Sequence, residues 1–153
     1  MAVEATLCHI IGQGGLLLKK ASRGFSKGKW NAPGGKLENS ESPWRNAKRE
    51  VLEETNLKVR KLDSHGTILY FMNGTRVLHT KAHLFSTRVF TGTPRSTAEG
   101  RVKWFSLAQL PFNEMWDDDK YWLGLMLSGS KFDARFYFDR DNATVTSHKI
   151  TRR

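Results

Sequence analysis

Glu50, Glu53 and Glu54 stand at positions i, i+3 and i+4 of one short stretch. On a helix this spacing stacks three carboxylates on a single face. Two unit charges about 5 Å apart repel by roughly 3 kcal/mol at an effective dielectric of about 20. The last two also fall in a final turn, against the negative end of the helix dipole. Only Lys48 and Arg49 offset this locally. A divalent cation would relieve it fully, because hard oxygen donors on one rigid face suit Mg2+ or Mn2+. A bare glutamate triplet is more often a solvated helix face. Here Pro33-Gly34-Gly35 lies just upstream, and such a turn brings bare carbonyl and N–H groups close to a ligand.

A second constellation is Trp116-Asp117-Asp118-Asp119. Two adjacent acids in a partly dry pocket cannot both ionise cheaply, so one holds a proton. The pair then offers a donor and an acceptor, which a purine edge requires, and moving the proton would suit a second base. The competing explanation is that acids at a helix start serve the cap and the dipole.

The elements that must position these residues are legible in outline. Ala5 to Ile11 reads as a strand, with a hairpin turn at Gly12 to Gly15 and a return strand from Leu16 to Lys20. Residues 21–35 read as a basic, glycine-spotted loop. Ser42-Pro43 predicts a helix start running to Thr55, with Trp44, Ala47 and Val51 on its apolar stripe and Asn56 as its left-handed stop. Strand-like sequence fills Leu57 to Phe90 around a hairpin signal at Asn73-Gly74. A loop follows to Gly100, then a short strand from Val102 to Phe105. A second helix is expected over Asp117 to Leu127, with Tyr121, Trp122 and Leu125 inward. A closing hairpin is expected over residues 134–147. The class is α+β, a mixed sheet with two helices, in one domain spanning 1–153.

The spacing from Gly35 through Glu41, Arg49, Glu50, Val51, Glu53 and Glu54 to Leu57 follows G-x5-E-x7-R-E-U-x-E-E-x-G-U, where U is aliphatic. Eight of the nine fixed positions match, and Asn56 replaces the family glycine. The chain thereby resembles the Nudix hydrolases. The resemblance implies a Nudix fold, an α/β/α sandwich around a mixed sheet, and Mg2+-assisted attack of water on a nucleoside diphosphate derivative, with Mn2+ as a substitute. It makes Glu53, Glu54 and the Gly35 carbonyl metal ligands, and Glu50 a ligand or the base. It gives Arg49 the task of orienting the glutamates and Glu41 that of pairing with the helix.

Arg23-Gly24-Phe25, Lys29-Trp30-Asn31 and the run from Leu110 to Trp122 resemble the animal MutT-type branch, which acts on oxidised purine nucleoside triphosphates such as 8-oxo-dGTP and 2-hydroxy-dATP. By that likeness Asn31, Asp118 and Asp119 bond the base edge and Trp116 stacks on it. Phe25 and Thr6 line the pocket, and Gly34, Gly35 and Lys36 face the substrate. Glu99 is a further metal-site acid. Ala21 and Gly100 stand where the branch carries lysine and methionine, so the pocket shape, and which oxidised purine is preferred, stay open.

Composition bounds the alternatives. The 153 residues carry 25 Lys+Arg against 15 Asp+Glu, a net +10, with 39% hydrophobic residues, too many for a disordered chain. Cys8 is the sole cysteine, which excludes an internal disulfide and reads as a small core residue. There is no apolar run long enough to span a bilayer and no secretory signal, so a cytoplasmic monomer without membrane or specific nucleic-acid partners is expected. Residues 5–37 hold six basic residues and no acid, which suggests a basic rim that steers a triphosphate towards an acidic centre. A basic nucleic-acid-binding module, or a Nudix hydrolase of ADP-ribose, a dinucleoside polyphosphate or capped RNA, are the other readings. His79 and His83 share a strand face without a third metal ligand, and Phe136, Tyr137 and Phe138 read as sheet core.

Overall fold

Side-chain alternation along two central strands creates two separate cores. The computed structural model describes residues 2–153. Strand β1 (Val3–Gly12) turns through Gln13-Gly14 into β2 (Gly15–Ala21), with Ile10 opposite Leu17. Cys8, Ile10 and Leu17 point to one side, where they meet Leu57, Val59, Leu62 and Phe85. Ile11, Leu16 and Leu18 point to the other, against Ile68, Phe132, Phe136 and Phe138. Each face needs a cover, and each receives one helix.

Helix α1 (Pro43–Thr55) covers the first face with Ala47 and Val51. Its ends are those the sequence predicts. Ser42 Oγ accepts the Arg45 N–H at 3.2 Å, and Asn56 takes the left-handed conformation at φ 68°. Trp44 departs from the expected stripe: it is half exposed and leans on Phe85 at 4.8 Å between ring centres.

Helix α2 (Asp119–Leu127) covers the second face and starts two residues later than expected. Its buried positions are Asp119, Trp122, Leu123 and Met126, while Tyr121 is exposed and Leu125 only partly covered. The buried stripe thus begins with an acid, and of the three residues expected inward only Trp122 is fully buried.

The remaining strands are β3 (Trp30–Asn31), β4 (Gly34–Lys36), β5 (Lys58–Phe71), β6 (Leu78–Thr91), β7 (Gly100–Phe105), β8 (Phe132–Phe138) and β9 (Val145–Arg152). Among the described residues the sheet order is β3-β2-β1-β6-β5-β8-β9, with β4 on β1 and β7 on β2. β6 runs parallel to β1, and β8 parallel to β5; the other pairs are antiparallel. The sheet is mixed, and the helices on opposite faces give the expected sandwich. Strands β3 and β4 fall in or at the edge of the stretch that reads as loop, because they are too short to show alternation, and a 3-10 turn at Phe112–Glu114 precedes α2. β9 reaches Arg152 as a polar edge strand. Phe136 and Phe138 are core, but Tyr137 faces the other way and stacks on Phe71 at 4.3 Å. No helix among the described residues is long and apolar enough to cross a membrane.

Candidate active site

Helix α1 and strand β4 meet at the glutamates. Gly35 pairs with Thr6 of β1, and a Cβ on Gly35 would lie 2.6 Å from the Glu50 carboxyl carbon. Glycine is therefore what lets this carboxylate press against the β4 backbone. Arg49 anchors the cluster. Its Nε and Nη2 donate to both oxygens of Glu41 at 2.7 and 3.0 Å, and its Nη1 donates to Glu50 at 2.9 Å and to Glu53 at 3.1 Å. The guanidinium contact, with help from Asn46, holds the Glu41 carboxyl down at about 2.

Glu50 behaves in the opposite way. Burial pushes its carboxyl up to about 7, and the charge of Glu54 adds to that against the pull of Arg49. Glu54 is buried and also raised by burial, although Lys19 Nζ pairs with its Oε2 and the Gly34 N–H donates to its Oε1 at 2.8 Å. Glu99 lies close enough for its charge to raise Glu54 further, and it accepts from Arg23 at 2.9 Å. Glu53 is half exposed. Among the described residues no three acidic, histidine or cysteine side chains already converge on one point; Lys19 and Arg49 hold the carboxylates instead. The donor set nonetheless fits a hard divalent cation. It offers carboxylates on movable side chains along one helix face, with excess negative charge that neither cation removes.

The second constellation forms an aromatic and acidic wall at the start of α2. Trp116 stacks on Phe25 at 5.2 Å, and Phe25 stacks on His79 at 5.4 Å. Lys29 Nζ sits 4.9 Å over the Trp116 ring, and Trp116 Nε1 donates to Ser26 Oγ at 3.0 Å. Asp118 and Asp119 are both buried. Asp118 occupies the helix cap position but makes no side-chain cap bond. Its Oδ2 instead accepts from Tyr70 Oη and from Trp122 Nε1, each at 2.7 Å, and its Oδ1 has no protein partner. Capping therefore does not explain this acid. Burial raises both carboxyls, and the charge of Asp118 raises Asp119 further.

The NUDIX domain model matches residues 1–125. The chain belongs to the Nudix family. It is 39% identical over 95% of its length to the oxidized purine nucleoside triphosphate hydrolase of Mus musculus, covering 92% of that protein. The zebrafish (Danio rerio) protein of the same description is 36% identical over the same shares of the two chains. Among solved structures, the MutT protein of Bacillus halodurans superposes with a TM-score of 0.83 at 25% identity, covering 97% of both chains.

Not every residue expected at this Nudix site is where the resemblance implies. Thr6 is in phase with Cys8 and Ile10 on β1, so it faces α1 rather than the aromatic wall. Its hydroxyl donates to Asn46 Oδ1, and Asn46 in turn donates to the Lys36 carbonyl at 2.8 Å and to Glu41 at 2.9 Å. Thr6 thus supports the glutamate helix. Lys36 meets that network through its backbone and leaves its side chain exposed. Asn31 pairs across to Lys19, and its side-chain oxygen accepts the Ala32 N–H at 2.9 Å.

Ala21 and Gly100 face each other across β2 and β7. They help line a hollow of about 320 Å³ with Lys20, Lys27, Gly28 and Arg101. A Cβ on Gly100 would fall 2.2 Å from the Lys20 carbonyl oxygen, so this backbone excludes the family methionine there. The expected basic rim is largely committed. Lys19, Lys20 and Arg23 pair with Glu54, Glu114 and Glu99, and Lys29 covers Trp116.

Sequence reasoning missed Tyr70, Lys19, Asn46 and His79. Each acts through a contact across 35 or more positions of sequence. Only the in-phase positions Ile68, Tyr70 and Met72, which place a phenol on the α2 face of β5, could have pointed to the first. Cys8 is buried core as expected, its thiol pushed up to about 12 by burial.

Proposed function

We propose that this Nudix enzyme hydrolyses oxidised purine (deoxy)nucleoside triphosphates to the monophosphate and pyrophosphate, as a single domain over 1–153, with Mg2+ as the preferred ion. The observation that carries the reading is the buried Asp118–Asp119 pair beside the Trp116–Phe25 stack. A binder of phosphate alone has no use for a dry donor–acceptor pair flanked by a stacking surface, and a purine base uses both. The mouse and zebrafish relatives bear the corresponding description.

A bound divalent cation would neutralise phosphate charge and acidify the attacking water. Glu53, Glu54, Glu50, Glu99 and the Gly35 carbonyl are the groups to hold it. Arg49 fixes the Glu50 Oε1 atom and leaves Oε2 to take the proton from water. Trp116 and Phe25 hold the base by stacking, and Asn31 with the two aspartates reads its edge. The reading extends to a monomer in a reducing, cytoplasmic compartment, which a lone buried thiol fits.

The test is product analysis with Mg2+ and 8-oxo-dGTP, 2-hydroxy-dATP, dGTP, ADP-ribose and diadenosine tetraphosphate. Pyrophosphate release favouring the oxidised purines is expected. Equal turnover of dGTP, or a preference for ADP-ribose, would overturn the reading. In the same assay Glu54→Gln is expected to lose at least about a hundredfold in kcat with an unchanged far-UV spectrum, and full activity would refute the ligand assignment.

A further inference from the structure

The two aspartates are not equivalent, and part of the difference originates outside α2. Asp118 Oδ2 receives two donors from two elements, the Tyr70 hydroxyl of β5 and the Trp122 indole N–H of α2. Trp122 is buried and Tyr70 is partly buried against the same core. Burial and the neighbouring acids push the Tyr70 hydroxyl well above its ordinary range, so it stays a donor. Two N–H or O–H donors on one oxygen favour the ionised form of that carboxyl. The unpartnered Oδ1 is then a buried acceptor facing no protein donor.

Asp119 lies beside this charge, which disfavours its own ionisation. Lys29 is the cation whose charge reaches Asp119. Asp117 is turned elsewhere, accepting the Val145 N–H at 2.8 Å and pairing with Lys120 at 2.9 Å. The shared proton therefore belongs on Asp119.

We propose that the Tyr70 hydroxyl is a specificity-determining group: with Trp122 it fixes Asp118 as acceptor and Asp119 as donor, so the site reads one order of donor and acceptor on a purine edge. This rests on the functional reading above and sharpens it. Guanine presents an acceptor at position 6 beside a donor at N1, and 2-hydroxyadenine in its hydroxy tautomer a donor at position 6 beside an acceptor at N1. At one seating the two call for opposite orders. A freely moving proton would serve both, whereas a proton fixed by Tyr70 serves one. The enzyme then discriminates between oxidised guanine and oxidised adenine triphosphates.

The experiment compares kcat/KM for 8-oxo-dGTP and 2-hydroxy-dATP in the natural protein, Tyr70→Phe, Asp118→Asn and Asp119→Asn. Binding of the two product monophosphates without metal is measured in parallel. The natural protein is expected to favour one base by about tenfold or more, the worth of a donor or acceptor left unpaired. Tyr70→Phe should shrink that ratio by about tenfold, through KM rather than kcat, and in the metal-free binding as well. It should also shift the pH dependence of the less favoured base.

Asparagine mimics a protonated acid, so Asp119→Asn should keep the preference and Asp118→Asn should lose it. Equal preference for both bases in the natural protein would overturn the proposal. So would an unchanged ratio in Tyr70→Phe, or an Asp119→Asn variant as impaired as Asp118→Asn; in each of these cases the hydrolase reading stands. Absence of turnover with either oxidised triphosphate would overturn that reading, and the proposal with it.

Discussion

Gly35 separates the placement of the carboxylate proposed to act in catalysis, that of Glu50, from the stability of the fold. A Cβ on Gly35 would sit 2.6 Å from the Glu50 carboxyl carbon and 2.8 Å from each of its oxygens. Ordinary contact begins at 3.4 Å, so Gly35→Ala must displace this carboxyl by about 0.8 Å. The obstacle is the far end of a side chain, so the backbone need not move. A displacement near 1 Å at a reacting group costs about a hundredfold in rate, or roughly 2.7 kcal/mol of barrier at about 1.36 kcal/mol per tenfold.

Gly34→Ala is the contrasting change. Its Cβ would lie 1.9 Å from the Thr6 carbonyl oxygen, within the β1–β4 pairing. Backbone must yield there, at about 1–3 kcal/mol or more of stability. Steady-state kinetics with Mg2+ and 8-oxo-dGTP, beside thermal unfolding of both variants, checks the pair. Gly35→Ala is expected to lose kcat and keep its Tm to within a few degrees, and Gly34→Ala to lose Tm. A Gly35→Ala variant with the natural kcat, or one less stable than Gly34→Ala, would refute this reasoning.

Two other perturbations follow from the same network and the core. Arg49→Lys keeps the charge but cannot bridge Glu41, Glu50 and Glu53 at once, because an ammonium lacks the planar fork. A kcat loss of about tenfold to a hundredfold is expected in the same assay, and natural turnover would show that Arg49 does not position the glutamates. His9 is buried beside Trp122, and burial lowers its ring to about 4 from 6.5. The folded state keeps the neutral ring while the unfolded chain takes up a proton below 6.5. Its contribution is therefore complete above that pH and falls away as the pH drops towards 4, by about 3 kcal/mol. The raised carboxyls Glu50, Glu54, Asp118 and Asp119 work in the opposite direction, so the comparison is with His9→Leu. Denaturant unfolding between pH 7.5 and 4.5 should show a steeper loss in the natural protein, and parallel profiles would rule His9 out.

The local signals in the sequence were enough for helix α1. Ser42, Pro43 and Asn56 act through their own backbone neighbours, and the i, i+3, i+4 spacing of the glutamates follows from helix geometry alone. The mixed-sheet class and the hairpin at Gly12 to Gly15 were legible for the same reason: each rests on short-range pattern. Partners distant in the chain were not legible. Thr6 was assigned to the pocket, but only strand phase and sheet order show that it faces α1. Helix capping was the competing explanation for Asp118, and it falls only once the fold sets Tyr70, 48 positions away, against it. The proton balance of that pair depends on burial and on donors from β5 and α2 together. Sequence spacing cannot encode that balance, because it arises only when the strands are registered and the second core is closed.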